Sequence, residues 1–343
     1  MRVDASPLRI AVLSPIAWRT PPHGYGPWEL FASLLTEGLV ANGHAVTLFA
    51  TADSVTNADL VATSPHGWET DRSIDTKVAE CTHIASVFEL ADQFDIIHNS
   101  FDFLPLTYSC LVETPVVTTI HGFSSENIVE VYRRYNEQGH YVAISDSNRH
   151  PDLDYVATIH HGLDTTRFGR TPIPGDDLLF FGRIHPDKGT HHAIDVALKT
   201  GRSLTIAGII ADTDYFDEMV RPHLEHELIN YVGHISGSEK TQMLSSAFAL
   251  VHLIDFDEPF GFSVAEALLS GTPVIAHRRG SMPELIDHGN DGFIIDNPTD
   301  AARHVEQVAR LDRTGIADRA RARFDARRMA DDYATLYRRI LDR

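Results

Sequence analysis

The strongest constraint on the fold is an alternation of short apolar runs with amphipathic stretches, which continues along most of the chain. Short apolar runs are typical of strands that are buried on both faces, and helix-length segments between them favour parallel strands joined by helical crossovers. The runs form two series of predicted strands: 8–13, 45–50, 95–98, 115–120, 141–144 and 156–159, then 178–181, 203–207, 229–232, 249–253 and 273–276. We therefore expect an α/β fold with two doubly wound, Rossmann-like domains.

The segment between the two series, residues 164–177, is rich in Thr, Pro, Gly and Asp and is a natural linker. We predict a first domain over 1–165, a second over 166–325, and a C-terminal helix over 326–343 that packs back on the first domain. Ligands of doubly wound sheets bind beyond the carboxyl ends of the strands, where the strand order reverses. With two such domains, we expect the site in a cleft between them.

The charge of the chain excludes several classes of partner. The net charge is −19, which argues against nucleic acid or an anionic membrane. Residues 1–165 hold 8 Lys and Arg against 21 Asp and Glu, a net charge of −13. Two cysteines give no disulfide framework, and the chain shows neither a signal-peptide pattern nor an apolar run of the ~20 residues that span a bilayer. We expect a cytoplasmic protein without stable membrane association.

Two carboxylates bracket a predicted helix start in the segment from Glu258 to Glu266. A helix start offers unpaired backbone amides and a partial positive charge, so it attracts phosphate. Carboxylates on both sides of such a site indicate a ligand that has hydroxyl groups on both sides of its phosphates. A sugar nucleotide fits this pattern, with one carboxylate for the sugar and the other for the ribose.

Two cations, Arg183 and Lys188, follow the predicted strand 178–181. An arginine can grip phosphate oxygens through its planar fork, and a lysine supplies a compact charge. Together they could neutralise a diphosphate. The alternative is that they are surface cations near a turn.

Three further positions are weaker candidates. Gly24 and Gly26 lie in the loop before a predicted helix, where glycine permits close approach of a ligand, although a plain turn is also possible. His121 ends a predicted strand and could contact the reacting sugar. For His98, which also ends a strand, a structural role is the favoured alternative. The chain has no G-x-G-x-x-G fingerprint in a dinucleotide-binding context, which counts against a nicotinamide dehydrogenase.

The sequence predicts no metal site. Its three Asp-x-Asp matches are about as many as chance would give for a chain with this many aspartates. The adjacent pairs His160-His161 and His191-His192 are poorly spaced for a single metal ion.

These motifs in this order resemble the retaining nucleotide-sugar glycosyltransferases of the GT-B type, glycosyltransferase family 4 (glycosyl transferases group 1). The resemblance covers nearly the whole chain and is strongest over 178–295. It rests on Phe181-Gly-Arg183, Lys188-Gly189, Gly208, Val232-Gly233, the segment from Glu258 to Glu266, Gly271-Thr-Pro-Val-Ile275 and Pro283-Glu284.

The resemblance implies a role for each matching residue. Arg183 and Lys188 would hold the diphosphate, and Glu258 would accept hydrogen bonds from the donor sugar. The other implied donor contacts are the backbone of Phe260, Gly261 and Phe262 along the sugar, the amides of Ser263 and Val264 at phosphate, Glu266 at the ribose, His234 and Ile235 near the base, Gly24 and Gly26 over the phosphates, and His121 facing the sugar.

The chain departs from the family pattern at His160-His161, where Pro-Asn is frequent, and at Gly280-Ser281, where a Gly pair is frequent. It also lacks the basic amphipathic patch that lipid-acceptor members use, which favours a soluble hydroxyl acceptor such as an oligosaccharide or a secondary metabolite. The resemblance implies retention of anomeric configuration, no metal and no cofactor, and a UDP-sugar is the favoured donor. Two alternatives stay open: a non-catalytic sugar-nucleotide-binding protein, and a related enzyme such as a sugar-nucleotide epimerase.

Overall fold

A computed structural model of the chain describes residues 6–169 and 174–342, which form two compact units. The first unit runs from residue 6 to Gly162 and is completed by the segment that begins at Ala326, while the second runs from Leu163 to Asp325. Three parts of the predicted domains and linker lie outside the described residues: the start of the first domain (1–5), the middle of the linker (170–173) and the last position of the C-terminal helix (343).

The first unit is built on a parallel sheet of seven strands in the order β3-β2-β1-β4-β5-β6-β7. Its strands are β1 Arg9–Leu13, β2 Ala45–Phe49, β3 Asp59–Val61, β4 Ile96–Asn99, β5 Val116–Ile120, β6 His140–Ala143 and β7 Tyr155–Thr158. Its helices are α1 Pro27–Ala41, α2 Thr76–Glu89, α3 Leu106–Ser109, α4 Val129–Arg134 and, from the end of the chain, α12 Ala326–Leu341.

The second unit is built on a parallel sheet of six strands in the order β10-β9-β8-β11-β12-β13. Its strands are β8 Leu178–Phe181, β9 Leu204–Ala207, β10 Ile229–Gly233, β11 Ala249–His252, β12 Val274–His277 and β13 Gly292–Ile295. Its helices are α5 Thr190–Thr200, α6 Thr213–Tyr215, α7 Gly237–Ser246, α8 Phe262–Leu269, α9 Met282–Leu285, α10 Ala301–Val308 and α11 Arg313–Phe324.

The core of the first unit depends on a helix from each end of the chain. Phe31 and Leu35 of α1 are buried in one apolar cluster with Tyr333 and Tyr337 of α12. The apolar residues of α12 recur at helical spacing, so one face of this Arg-rich helix can be buried while its charged face meets water. No helix in the described ranges is both long and apolar enough to cross a bilayer.

The predicted α/β class with two Rossmann-like domains is confirmed, and all eleven predicted strands are present with ends that differ by at most one residue. Two edge strands were missed. β3 has three residues, none of them buried, and so carries no period that sequence reasoning could use. β13 is a buried run, Gly-Phe-Ile-Ile, that follows a turn at Asn290-Asp291, so its signal was present in the sequence.

Candidate functional site

The loops after β8 and β11 lie side by side in the middle of the second sheet. The strand order reverses between these two strands, and doubly wound folds bind their ligands at such a point. The loop after β8 carries Arg183 and Lys188, and the loop after β11 carries Glu258. The fold thus brings together two motifs that are 70 residues apart in the sequence.

Lys188 and Glu258 form an ion pair that is largely shielded from water. Lys188 Nζ lies 2.5 Å from Glu258 Oε2, and the two side chains are 15% and 17% exposed. The same Nζ lies 4.4 Å from the centre of the Phe256 ring, which adds a cation–π contact. Because charges attract more strongly where water is excluded, this pair holds both groups in place.

Gly189 fixes the Lys188 loop against the end of β11. Its backbone is left-handed, with φ of 66°, and a Cβ at this position would lie 1.9 Å from the carbonyl oxygen of Leu253. The Asp255 amide also donates to the Asp187 carbonyl at 2.8 Å. Glycine after Lys188 is therefore needed both for the backbone conformation and for this close approach.

Replacing Gly189 by alanine is expected to lower the free energy of unfolding of the second unit by about 2–4 kcal/mol, from backbone strain and the overlap with Leu253. Gly201 is a matched control. Gly189 directly precedes α5 and Gly201 directly follows it, with φ of 67° and open space around its Cβ position. Gly201→Ala should cost only about 1 kcal/mol. Urea titration of both variants measures the difference, and equal losses would contradict the steric explanation.

The turn Gly280-Ser281 after β12 holds the backbone of Glu258. The Ser281 amide donates to the Glu258 carbonyl at 3.0 Å, and the Ser281 hydroxyl donates to the Phe260 carbonyl at 2.5 Å. A Cβ on Gly280 would lie 2.3 Å from the Glu258 carbonyl oxygen. Serine in place of a second glycine, a departure from the family pattern, is thus buried and makes a hydrogen bond at this site.

Helix α8 begins directly after Gly261, whose φ is 94° and whose Cβ position would lie 2.7 Å from Met282 Cε. No side chain in the described parts of the chain caps this helix start, and helix starts attract phosphate through their backbone amides. The Val264 amide, however, donates to the Gly261 carbonyl at 3.1 Å. The Val264 amide thus has a partner within the turn, which it could share with a phosphate, and the prediction that Ser263 and Val264 offer amides to phosphate stays a prediction. Phe260 is buried, and its ring meets that of Phe262 edge to face.

Glu266 is buried in α8 and pairs with a lysine that sequence reasoning missed. Lys240 Nζ, from α7, lies 2.6 Å from Glu266 Oε1, and the side chains are 26% and 7% exposed. Lys240 also approaches the ring of Phe181, at 5.9 Å from its centre. Since the chain has only four lysines, their scarcity was the one sequence signal that could have drawn attention to Lys240.

The other predicted donor residues of the second unit are at strand ends. Arg183 is exposed and makes no hydrogen bond or ion pair with other residues in the described parts of the chain. His234 is exposed and Ile235 is buried, and both follow β10. Arg183 is thus an exposed cation in the same loop as Lys188, and it has no ion-pair partner within residues 6–169 and 174–342.

Three predicted residues belong to the first unit. Gly26 precedes α1 with φ of 148°, and a Cβ there would lie 2.9 Å from Pro22, whereas one on Gly24 would meet nothing within 4 Å. The His121 ring stacks on the rings of Trp28 and His161, with 5.3 Å between centres in each case. Both of its ring nitrogens are buried and have no hydrogen-bond partner among the residues that the structure describes, and burial lowers its pKa to about 3. His121 is therefore a neutral imidazole with two unused nitrogens.

His98 lies at the end of β4 inside a buried polar network. The Tyr337 hydroxyl is 2.7 Å from His98 Nδ1, and the Thr119 hydroxyl is 3.2 Å from His98 Nε2. Burial lowers the pKa of His98 to about 3, so the ring is neutral. This network links α12 to the sheet, which favours the structural role over a catalytic one.

One group of three side chains within residues 6–169 and 174–342 could hold a metal ion: His191, His192 and Asp255, whose ligand atoms lie within 4.8 Å of one another. His192 Nε2 is 3.1 Å from Asp255 Oδ2, and His191 Nδ1 is 2.7 Å from the Tyr215 hydroxyl. Sequence reasoning assigned no metal to this histidine pair, because it could not see that the fold adds Asp255. The absence of a metal requirement stays a prediction.

Comparison with known proteins identifies relatives of both sequence and fold. Residues 170–328 match the family described as glycosyl transferases group 1. Glycogen synthase of Mycobacterium tuberculosis is 31% identical over 192 residues, which cover 53% of this chain and 46% of that protein. The chain thus spans about half the length of the first curated relatives it matches.

Two solved structures match over nearly the whole chain. AviGT4, a glycosyltransferase involved in avilamycin A biosynthesis, superposes with a TM-score of 0.74 at 23% identity and 98% coverage of each chain. Anabaena Alr3699/HepE in complex with UDP-glucose superposes with a TM-score of 0.70 at 18% identity, covering 96% of this chain and 98% of the other. At these identities the likeness shows the fold.

Proposed function

We propose that the chain transfers a sugar from a nucleotide diphosphate sugar to a hydroxyl group of an acceptor. The match of residues 170–328 to the glycosyl transferases group 1 and the likeness of fold to AviGT4 support this proposal. The observation that carries the proposal is the Lys188–Glu258 pair at the reversal of strand order, in a loop that also carries the exposed cation Arg183. We further propose that the donor is a UDP-sugar, that the anomeric configuration is retained and that the acceptor is a soluble molecule. The complexes of HepE with UDP and UDP-glucose support the choice of nucleotide.

In this proposal, Lys188 and Arg183 stabilise the diphosphate as it leaves. The Lys188 ammonium has three N–H groups, and the contact with Glu258 uses one of them. The other two can donate to phosphate oxygens, and the free fork of Arg183 can add a bidentate contact. Cations that are already in place where negative charge develops lower the barrier without having to reorganise.

Glu258 positions the donor sugar in this proposal and does not attack it. Its Oε2 is bound to Lys188, which reduces the nucleophilicity of the carboxylate, while Oε1 can accept a hydrogen bond from a sugar hydroxyl. A retaining glycosidase would instead use a carboxylate nucleophile at the anomeric carbon. Here the leaving phosphate takes the proton of the acceptor hydroxyl on the same face of the sugar.

Calorimetric titration of the purified chain with UDP, GDP and ADP in the presence of EDTA tests the donor site. We expect binding of UDP, with EDTA leaving both binding and transfer unchanged, because Lys188 and Arg183 supply the charge that a metal would. No binding of any of the three nucleotides would contradict the proposed function. If EDTA abolished transfer and added Mn²⁺ or Mg²⁺ restored it, metal independence would be contradicted. The metal site to test next would then be His191, His192 and Asp255.

Glu266→Ala is expected to weaken donor binding about 10-fold, since a charged acceptor for the ribose hydroxyls is lost. The change also frees Lys240 from its partner, so Lys240→Ala is measured beside it to separate the two effects. Glu225→Ala, an exposed change in the same unit, is the control. Calorimetry gives the dissociation constants, and an unchanged constant for Glu266→Ala would rule out the ribose contact.

A further inference from the structure

A cavity of about 370 Å³ lies in the first unit, at the carboxyl ends of β1 and β4. These strands are neighbours at the reversal of strand order in the first sheet, which is the ligand-binding position of a doubly wound fold. The walls come from the loop after β1, the start of α1, the region leading into α2, and the segment after β4. The volume falls within the range of about 300–1,000 Å³ that is typical of small-ligand sites.

All three tryptophans of the chain, Trp18, Trp28 and Trp68, line this cavity, and each is partly buried. They come from distant parts of the sequence, so the fold assembles them. The Trp68 amide donates to the Ile16 carbonyl at 3.2 Å, and a Cβ on Gly67 would lie 2.3 Å from the Ala17 carbonyl oxygen, so glycine lets this segment lie against the loop after β1. Partly buried indoles present flat apolar faces on which the C–H face of a sugar ring can pack.

Three carboxyl groups line the same cavity, those of Glu29, Glu80 and Asp102, and no lysine or arginine is among the described residues that line it. Glu29 is 3% exposed, and its Oε1 accepts from the Trp18 amide at 3.2 Å. The Tyr132 hydroxyl donates to Asp102 Oδ1 at 2.8 Å. Because a carboxyl group has two oxygens with about four acceptor positions, each of the three can still accept hydrogen bonds from a ligand.

The charge of this region disfavours an anionic ligand. Burial raises the pKa of Glu29 to about 7, and it also raises the pKa values of Glu80 and Asp102. For Glu80, the nearby carboxylate of Asp102 raises the pKa further, while the indole of Trp68 offsets part of this increase. These groups therefore already resist ionisation. A phosphate beside them would add like charge at short range in a region where water screens it poorly.

We propose that this cavity binds a saccharide that carries no phosphate or carboxylate group, with its ring on the tryptophan faces and its hydroxyls donating to the carboxyl groups of Glu29, Glu80 and Asp102. This inference rests on the proposed function: the saccharide in this cavity would be the acceptor whose hydroxyl group receives the sugar. The tryptophan faces match the apolar face of a pyranose, and the carboxyl groups match its hydroxyls. The two sets of side chains thus recognise different parts of one ligand.

Intrinsic tryptophan fluorescence tests the proposal directly, because every tryptophan of the chain lines the cavity. The full chain is titrated without nucleotide, using methyl glucoside, methyl galactoside, cellobiose and maltose, with glucose 6-phosphate as the anionic comparison. We expect a saturable change with at least one neutral saccharide and binding of glucose 6-phosphate that is about 10-fold weaker or more. No saturable change with any neutral saccharide, or tighter binding of glucose 6-phosphate, would overturn the proposal.

A pair of variants on α2 locates the binding. Glu80→Gln removes a carboxyl that lines the cavity, and Glu89→Gln changes an exposed residue at the end of the same helix. We expect the saccharide dissociation constant to rise about fivefold or more in Glu80→Gln and to stay unchanged in Glu89→Gln. Equal constants in both variants would place the binding elsewhere.

Failure of this proposal and failure of the proposed function are distinguishable. Nucleotide binding is measured in the second unit and does not depend on the tryptophans. Saccharide binding without binding of any nucleotide would retain the cavity assignment and reject the transferase. Transfer to a phosphorylated acceptor would retain the transferase and reject the cavity assignment.

Discussion

Replacement of Lys188 by alanine is expected to lower the rate of sugar transfer by about 100- to 1,000-fold, the loss that follows removal of one group that stabilises developing negative charge. The change deletes a cation at the diphosphate and also leaves the Glu258 carboxylate, which is only 17% exposed, without its partner. Initial rates at saturating donor measure the effect. Circular dichroism and thermal unfolding then show whether the fold is kept, as we expect.

Lys199→Ala is the matched control, since Lys199 is an exposed lysine in the last turn of α5. Its rate should equal that of the unchanged chain. Lys188→Arg is informative as well, because it keeps the charge but replaces a compact ammonium with a planar fork that cannot make the same contact with Glu258. We expect partial activity there, and near-normal turnover in Lys188→Ala would refute the assignment of Lys188 to the diphosphate.

Acidification from pH 7 to pH 5 is expected to lower the free energy of unfolding of the first unit by roughly 3–6 kcal/mol. Burial lowers the pKa of His83 to about 4 and those of His98 and His121 to about 3, and it lowers that of His161 as well. Their ordinary pKa is about 6.5, so below this pH the unfolded chain binds more protons than the folded one, at about 1.4 kcal/mol per pH unit for each ring. Glu29, whose pKa rises to about 7, acts in the opposite direction and offsets about one of them.

Urea titrations at pH 7.5, 6.5 and 5.5 measure this loss, and tryptophan fluorescence reports on the first unit alone because all three tryptophans belong to it. His83→Gln should reduce the pH dependence by about one proton, since Gln can still donate to the Ser14 carbonyl that His83 Nε2 contacts at 2.9 Å. A free energy of unfolding that stays constant between pH 7.5 and 5.5 would contradict the account of the buried rings.

Much of the fold could be predicted because both sheets are parallel and buried, which makes each central strand a short apolar run with a helix after it. A glycosyltransferase with two Rossmann-like domains could be predicted from the order of the motifs between 178 and 295, and residues 170–328 match the family described as glycosyl transferases group 1. The missed strand β3 shows the limit, since an exposed three-residue edge strand is defined by its pairing with β2 and leaves no pattern of its own.

The site could be predicted only where its residues follow strands or open a helix. Lys188 and Glu258 met this condition, and their pairing followed from the neighbouring positions of β8 and β11. Lys240 did not, because it lies within a helix and acquires its place only through the packing of α7 beside α8. The tryptophan cavity could not be predicted for a similar reason. Its lining residues come from segments that are far apart in the sequence, and no local spacing connects them.

The discontinuous first unit also bears on how the protein is made. Residues 163–325 are one continuous stretch and leave the ribosome before α12, so the second unit can fold while synthesis continues. The first unit begins earlier but is completed later, because Phe31 and Leu35 of α1 share a buried apolar cluster with Tyr333 and Tyr337 of α12. The unit that is translated first is therefore the last to be completed.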